Sequence, residues 1–318
     1  MRIVFMGTPG FAASCLQSIL NAGFEVAAVV TAPDKPAGRG MQLKCSEVKL
    51  LAQERALSIL QPEKLRDPNF VDTLKSLAAD VFVVVAFRML PEVVWQIPRL
   101  GTINAHGSLL PQYRGAAPIQ HAVMNGESVT GVTTFFIGNE IDTGDILLKE
   151  HIEIGAEETA GQLHDRMQFV AGALLVKTLK ALAAGLLNPE PQQTLQKETV
   201  LRSAPKLTKD NTGIIWNSPA QRIHDFCRGL DPFPGAWSTL QNGKEFLPVK
   251  VYKTANKVSE IASGVSGKLR ITAYGTLESG CSEGWLPLIE WQTAGKKRMK
   301  TQEWLRGFHG SSENLKWV

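Results

Sequence analysis

IVFMGTPGFAASCLQSILN, residues 3–21, sets the fold class. Ile3–Met6 is an apolar run of strand length, short enough to be buried on both faces. Gly7-Thr8-Pro9-Gly10 turns the chain, and Phe11 to Asn21 carries a helical pattern. The order then repeats. Val26–Thr31 reads as a strand and Ser46–Ala56 as a helix. Val71–Ala78 is helical again, followed by Val81–Ala86, a β-branched run of the fully buried kind. Gly101–Ala105, Val132–Ile137 and Ile146–Ile154 read as further strands. Strands alternating with helices predict an α/β fold built on a mostly parallel sheet, with helices on both faces. The first turn is not the GxGxxG of a dinucleotide site, because Pro9 lacks an N–H and the third glycine is missing.

One long helix follows, with Leu163, Met167, Val170, Leu174 and Leu182 at helical spacing and Gly185 as a stop. From Asn188 to Lys209 the chain is rich in Pro, Gln, Thr and Lys without apolar periodicity, which reads as a linker. Ser218-Pro219 then starts a helix with Ile223, Phe226 and Leu230 on one face. Leu247–Tyr252, Val265–Ala273 and Trp285–Gln292 are strand-like, so a compact β domain, a small barrel, is expected at the end. The division is residues 1–189, a linker over 190–209, and residues 210–318.

Length agrees: 318 residues, 44% hydrophobic and 20% charged, suit about two globular domains of roughly 150 residues. The 28 Gly and 17 Pro follow no period, which excludes collagen-like and low-complexity readings. No apolar run approaches the ~18 residues of a membrane helix. Ile3–Met6 is too short for a signal-peptide core, so a cytoplasmic protein away from membranes is expected. Cys15, Cys45, Cys227 and Cys281 are scattered, with no CxxC and no His at ligand spacing, so neither metal nor disulfides are expected. The net charge is +4, but residues 205–318 hold 16 Lys+Arg against 10 Asp+Glu. That excess fits an anionic partner or a solvated surface.

Asn104-Ala105-His106 closes the Gly101–Ala105 strand. Residues i and i+2 of a strand share a side, so the carboxamide and the imidazole project together. Such a pair suits oxyanion stabilisation and proton movement, or it is a polar strand end bonding local backbone. Ser108 to Gln120 continues as an irregular loop restarting as a helix at Ala116–Val123, and is placed for ligand recognition or is a plain connector. Ile141-Asp142-Thr143-Gly144-Asp145 is a turn sequence; Asp142 suits a catalytic carboxylate or a turn residue, and spacing alone does not bring it to His106. Thr31–Ser46, with Lys35, Arg39 and Lys44, suits phosphate contact or a solvated loop.

Taken in order, GTPGFA, PDKPAGRG, NAHGSLLPQYRGAAPIQ, IDTGD and APKLTKD…IIWNSPAQRIHDFCRGLDPFPGAW closely resemble the folate-dependent formyltransferases, and among them the branch acting on methionyl-tRNA. The resemblance covers nearly the whole chain. It implies a Rossmann-like N-terminal formyltransferase domain and a smaller C-terminal OB-like β-barrel that binds tRNA. It implies formyl transfer from 10-formyltetrahydrofolate, the co-substrate, to the α-amino group of initiator methionyl-tRNA, by a monomer without metal. The family's catalytic trio falls on Asn104, His106 and Asp142, its formyl-folate segment on Ser108, Leu109, Leu110 and Pro111, and its tRNA-contacting basic loop on Thr31–Ser46, centred on Arg39. Three positions depart from the commoner pattern: Phe87-Arg88 stands where Tyr-Gly is usual, and Gly10 where Asp is frequent.

The mechanism this implies is attack of the methionyl amine on the formyl carbon. Asn104 and protonated His106 stabilise the oxyanion, and Asp142 favours the imidazolium or accepts the amine proton. The rivals are transfer to a sugar nucleotide or other small amine, hydrolysis of the formyl donor, and a nucleic-acid-binding module with a degenerate catalytic domain.

Overall fold

Strand β1 (Arg2–Gly7) buries every residue after Arg2. It is flanked by β2 (Glu25–Val30) and, across β3 (Ile59–Leu60) and β4 (Val81–Val85), it joins a sheet whose other members are β5 (Thr102–His106), β6 (Val129–Phe136) and β7 (Ile146–Glu153). The sheet runs β7-β6-β5-β4-β1-β2-β3. β1 to β5 pair in parallel, while β6 and β7 are antiparallel additions. The computed structural model describes residues 1–37, 42–195, 200–310 and 315–318.

The apolar runs form central strands because both sheet faces are covered. Val4, Met6, Phe82 and Val84 pack against Phe70, Val71 and Leu74, while Ile3, Phe5, Val81, Val83 and Val85 between them are fully buried too. Gly7 ends β1 where a Cβ would stand 2.6 Å from that of Ala12 and 3.0 Å from the Val85 carbonyl oxygen, so only glycine lets helix α1 (Gly10–Asn21) start this close to the sheet. Helices α2 (Glu47–Glu54) and α3 (Pro68–Ser76) carry side-chain caps: Ser46 accepts from Lys49 N, and Asp67 accepts from Asn69 N with Pro68 in the first turn. The long apolar-periodic stretch is the helix Ala160–Ala183.

By packing, the chain divides into one unit of Met1–Pro118, Val129–Glu153 and His164–Ser203, and a second of Ile119–Ser128, Ile154–Leu163 and Ala204–Val318. In the second unit, strands β8 (Ala236–Asn242), β9 (Glu245–Thr254), β10 (Leu269–Ile271), β11 (Leu277–Gly280), β12 (Gly284–Thr293) and β13 (Leu315–Trp317) form an antiparallel sheet in the order β10-β11-β12-β9-β8-β13. The Lys268–Lys316 bridge and a 2.9 Å bond from Trp317 N to the Gly267 carbonyl join its two edges. That contact nearly closes the sheet into the expected barrel and shortens its open edges.

Its core is aromatic. Trp216 and Trp317 stack at 4.7 Å, and Trp304 meets the wholly buried Trp291 edge-on at 4.7 Å. The helix Ala220–Gly229 adds Ile223 and Cys227, with Leu230 just beyond it.

Candidate active site

β5 lies between β4, to which it is parallel, and the antiparallel β6, with Asn104 opposite Phe135 and His106 opposite Thr133. Strand alternation puts Asn104 and His106 on one side. The Asn104 side chain is half-buried and, among the described residues, makes no hydrogen bond; its donor and acceptor remain available. His106 is buried. Its Nε2 lies 2.8 Å from the Tyr113 carbonyl oxygen. A carbonyl only accepts, so Nε2 carries the hydrogen and Nδ1 is the nitrogen that gains or loses a proton.

Asp142 faces that nitrogen. Its Oδ2 is 3.6 Å from His106 Nδ1, within electrostatic reach but longer than a hydrogen bond. The loop 137–145 leaves β6 at Phe136, opposite Ile103, and folds back to deliver the carboxylate. The same Oδ2 accepts a 2.9 Å bond from Gly115 N. Asp142 has φ +56°, a left-handed conformation that Asp tolerates better than most side chains. The fold therefore brings Asp142 to His106 across the gap in numbering, with Asn104 on the same side of β5 as His106.

The segment after β5 is held from within. Ser108 is buried, and its Oγ donates to the Gln112 carbonyl at 2.6 Å. Thr133 Oγ1 donates to Ser108 O at 2.7 Å and accepts from Leu110 N at 3.0 Å. Leu110 packs against Phe135 and Ile146, and the Leu110–Pro111 peptide is cis. Ser108 and Leu110 thus spend their side chains on holding the loop, while Leu109 and Pro111 stay half-buried. At the Phe87-Arg88 departure, Arg88 donates to the carbonyl oxygens of Pro62 and Glu63, and the neighbouring Met89 is 77% exposed.

Of the basic loop, Lys35–Ala37 and Gln42–Lys44 pair as a short hairpin. Arg39 lies outside the described residues. The hairpin's base is tied by a 2.7 Å bond between Thr31 Oγ1 and Ser46 Oγ and by Asp34, which receives Lys49 and Gln61. The hydrogen bonds from Lys49 and then Gln61 hold the Asp34 carboxyl below the usual carboxylate range.

Four partners escape the sequence reading. The Tyr113 carbonyl and the Gly115 N–H are backbone groups, invisible to residue type. Thr133 reads only as a strand residue. Gln192 falls in the aperiodic stretch, yet it is buried and donates to the carbonyl oxygens of Asp142 and Gly144. No single-sequence signal marks it. No group of three or more His, Cys, Asp or Glu among the described residues is arranged to hold a metal ion.

Residues 1–179 match the family model described as formyl transferase, and residues 206–309 match that described as formyl transferase, C-terminal domain. The chain belongs to the formyl transferase family. It is 45% identical over 310 residues to a methionyl-tRNA formyltransferase of Bacteroides fragilis, covering 97% of this chain and 95% of the relative. It is 44% identical over 314 residues to one of Flavobacterium johnsoniae, covering 98% of each. Among solved structures, HypX of Aquifex aeolicus in complex with tetrahydrofolic acid is similar at TM-score 0.62 and 16% identity, over 96% of this chain and 47% of that one. An N-formyltransferase of Helicobacter canadensis in complex with folinic acid and dTDP-3-aminofucose is similar at 0.63 and 18%, over 90% and 98%. At such identity the two share the fold with this family member. No described helix is long and apolar enough to cross a membrane.

Proposed function

We propose that the chain transfers the formyl group of 10-formyltetrahydrofolate to the α-amino group of initiator methionyl-tRNA. The observation that carries the chemistry is the carboxylate of Asp142, 3.6 Å from Nδ1 of His106, on the side of the strand where Asn104 offers an unused carboxamide. The acceptor is read from the full-length likeness to methionyl-tRNA formyltransferases, which includes the C-terminal domain.

The donor brings an electrophilic formyl carbon. The Asn104 amide N–H is the hydrogen-bond donor for the oxygen that gains charge as the amine attacks; removing one such donor typically costs about 10²–10³ in rate. His106 Nδ1 and Asp142 take the proton that the attacking amine loses and return it to the nitrogen that leaves, so no proton is left over. The Tyr113 carbonyl fixes the ring through Nε2–H. The residues present fit a folate donor. Asn104 supplies a free polar edge, and Ser108, Leu109, Leu110 and Pro111 form a loop that the buried Ser108 and Leu110 side chains hold in shape beside it.

In this reading the N-terminal unit, whose packing runs on through Ser203, carries the chemistry, and residues 210–318 attract tRNA through their excess of Lys and Arg. Arg39 contacts the tRNA backbone. The chain is read as a monomer that works in the cytoplasm, where charged tRNA is found.

The test supplies donor labelled in its formyl carbon and four acceptors in parallel: charged initiator tRNA, free methionine, an amino-sugar nucleotide and none. Labelled formylmethionine after ester hydrolysis in the first arm alone is the expected result. Label on the sugar nucleotide, or formate released without acceptor, would overturn the reading. Arg39→Ala is expected to lower activity on tRNA and leave folate binding intact.

A further inference from the structure

Gln192 begins the 3-10 turn Gln192–Leu195, in the aperiodic, Pro- and Gln-rich stretch. It is only 1% exposed. Its Nε2 donates to the Asp142 carbonyl at 2.9 Å and to the Gly144 carbonyl at 2.8 Å. Its Oε1 accepts from Arg114 Nε at 3.1 Å and Nη2 at 2.6 Å. An amide has two N–H donors and two acceptor lone pairs, and all four are used. No other type of uncharged side chain meets two carbonyls and a guanidinium at once.

These bonds converge on one group. Asp142 holds a left-handed backbone, and Gln192 grips the carbonyl of that residue. Its carboxylate accepts from Gly115 N, the residue after Arg114, which Gln192 holds by its other end. Thus one side chain fixes both the main chain that carries the carboxylate and the neighbour of the N–H that orients it. The turn is itself anchored: Glu190 and Ile146 exchange backbone bonds of 2.8 and 2.9 Å, and Leu195 packs against the cluster of Leu110, Phe135 and Ile146.

We propose that Gln192 is a positioning residue for formyl transfer, acting through Asp142. It touches none of the reacting atoms. The inference rests on the catalytic reading of Asp142 given above, and the experiment separates the two.

The experiment is a double-mutant cycle on the full chain, with steady-state formylation of charged tRNA as the readout. Gln192→Glu removes both donors and turns a carboxylate toward two carbonyl oxygens, yet keeps a partner for Arg114. A displacement of about 1 Å at a catalytic group costs on the order of 100-fold. The expected loss in kcat is therefore about 10- to 100-fold, with KM for donor and tRNA held within about threefold. A residue serving only the fold would lower thermal stability and the active fraction, with no kcat loss per folded enzyme. In the Asp142→Asn background the same substitution is expected to lower kcat by less than about twofold, because its route of action is gone.

Multiplying losses would overturn the proposal, since Gln192 would then act elsewhere. A normal kcat for Asp142→Asn alone would instead remove the catalytic reading, and the inference with it. Gln192→Met keeps the volume without polar atoms and serves as the second variant. Loss of the folded state in both would assign Gln192 to the fold and overturn the proposal.

Discussion

Gly144→Ala tests how the catalytic loop is placed. A Cβ on Gly144 would lie 1.7 Å from the Phe136 carbonyl oxygen and 2.9 Å from its carbonyl carbon. Both are backbone atoms of β6, which cannot swing aside as a side chain would. To reach ordinary contact the loop must back away by about 1.5 Å. Asp142 is two residues away, so its carboxylate moves by a similar amount. At 2.9 Å the Gly115 N–Asp142 bond does not survive that shift, and the 3.6 Å approach to His106 opens. A misplacement of this size costs about 100-fold in rate. The loop is exposed at Asn139, Glu140 and Ile141, so the melting temperature is expected to change by only a few degrees. The assay is kcat for formylation of charged tRNA at saturating donor, with melting followed by circular dichroism. A kcat within about threefold of the unaltered chain would refute the claim that the Gly144–Phe136 approach sets the position of Asp142.

Further outcomes are expected elsewhere. Trp291 is wholly buried in the barrel against Trp304 and Trp317; Trp291→Ala should destabilise by roughly 3–5 kcal/mol in urea titrations, and a loss under about 1 kcal/mol would contradict the aromatic core. Burial pushes the Cys15 thiol up to about 12 and raises that of Cys227 as well. Thiolates are the reactive form, so iodoacetamide at pH 8 should label the partly exposed Cys45 in the native protein and reach Cys15 and Cys227 only after unfolding. Mass spectrometry showing Cys15 labelled as fast as Cys45 would oppose this. Lys296 and Lys297 are exposed; replacing both by Ala should flatten the salt dependence of tRNA affinity, lowering the log–log slope by up to about 2, and an unchanged slope would remove them from the tRNA interface.

The parallel strands were legible because burial on both faces leaves uninterrupted runs such as Val81–Val85. The shared side of Asn104 and His106 followed from strand alternation alone. The antiparallel turn of β6 and β7 was not legible, because Val132–Ile137 and Ile146–Ile154 read as strands in either direction. The approach of Asp142 to His106 depends on that reversal and on the tight Gly144 contact, neither of which a turn sequence encodes by itself. Gln192 was hidden for a different reason: a single buried amide imposes no periodicity, and its Pro-rich surroundings look like linker. In the barrel, Val265–Ala273 reads as one strand, but only Leu269–Ile271 pairs. Gly267 and Lys268 are taken instead by the contacts that join the sheet's edges.

The central claim is that Asp142, brought beside His106, handles the proton of the attacking amine. The most direct measurement is the single-turnover rate of formyl transfer by Asp142→Asn, with donor and charged tRNA both saturating. A fall of about 10²–10⁴-fold is expected, the usual contribution of a positioned acid–base group, in a chain that still folds and still binds both substrates. A folded Asp142→Asn protein that transfers formyl at close to the unaltered rate would contradict it.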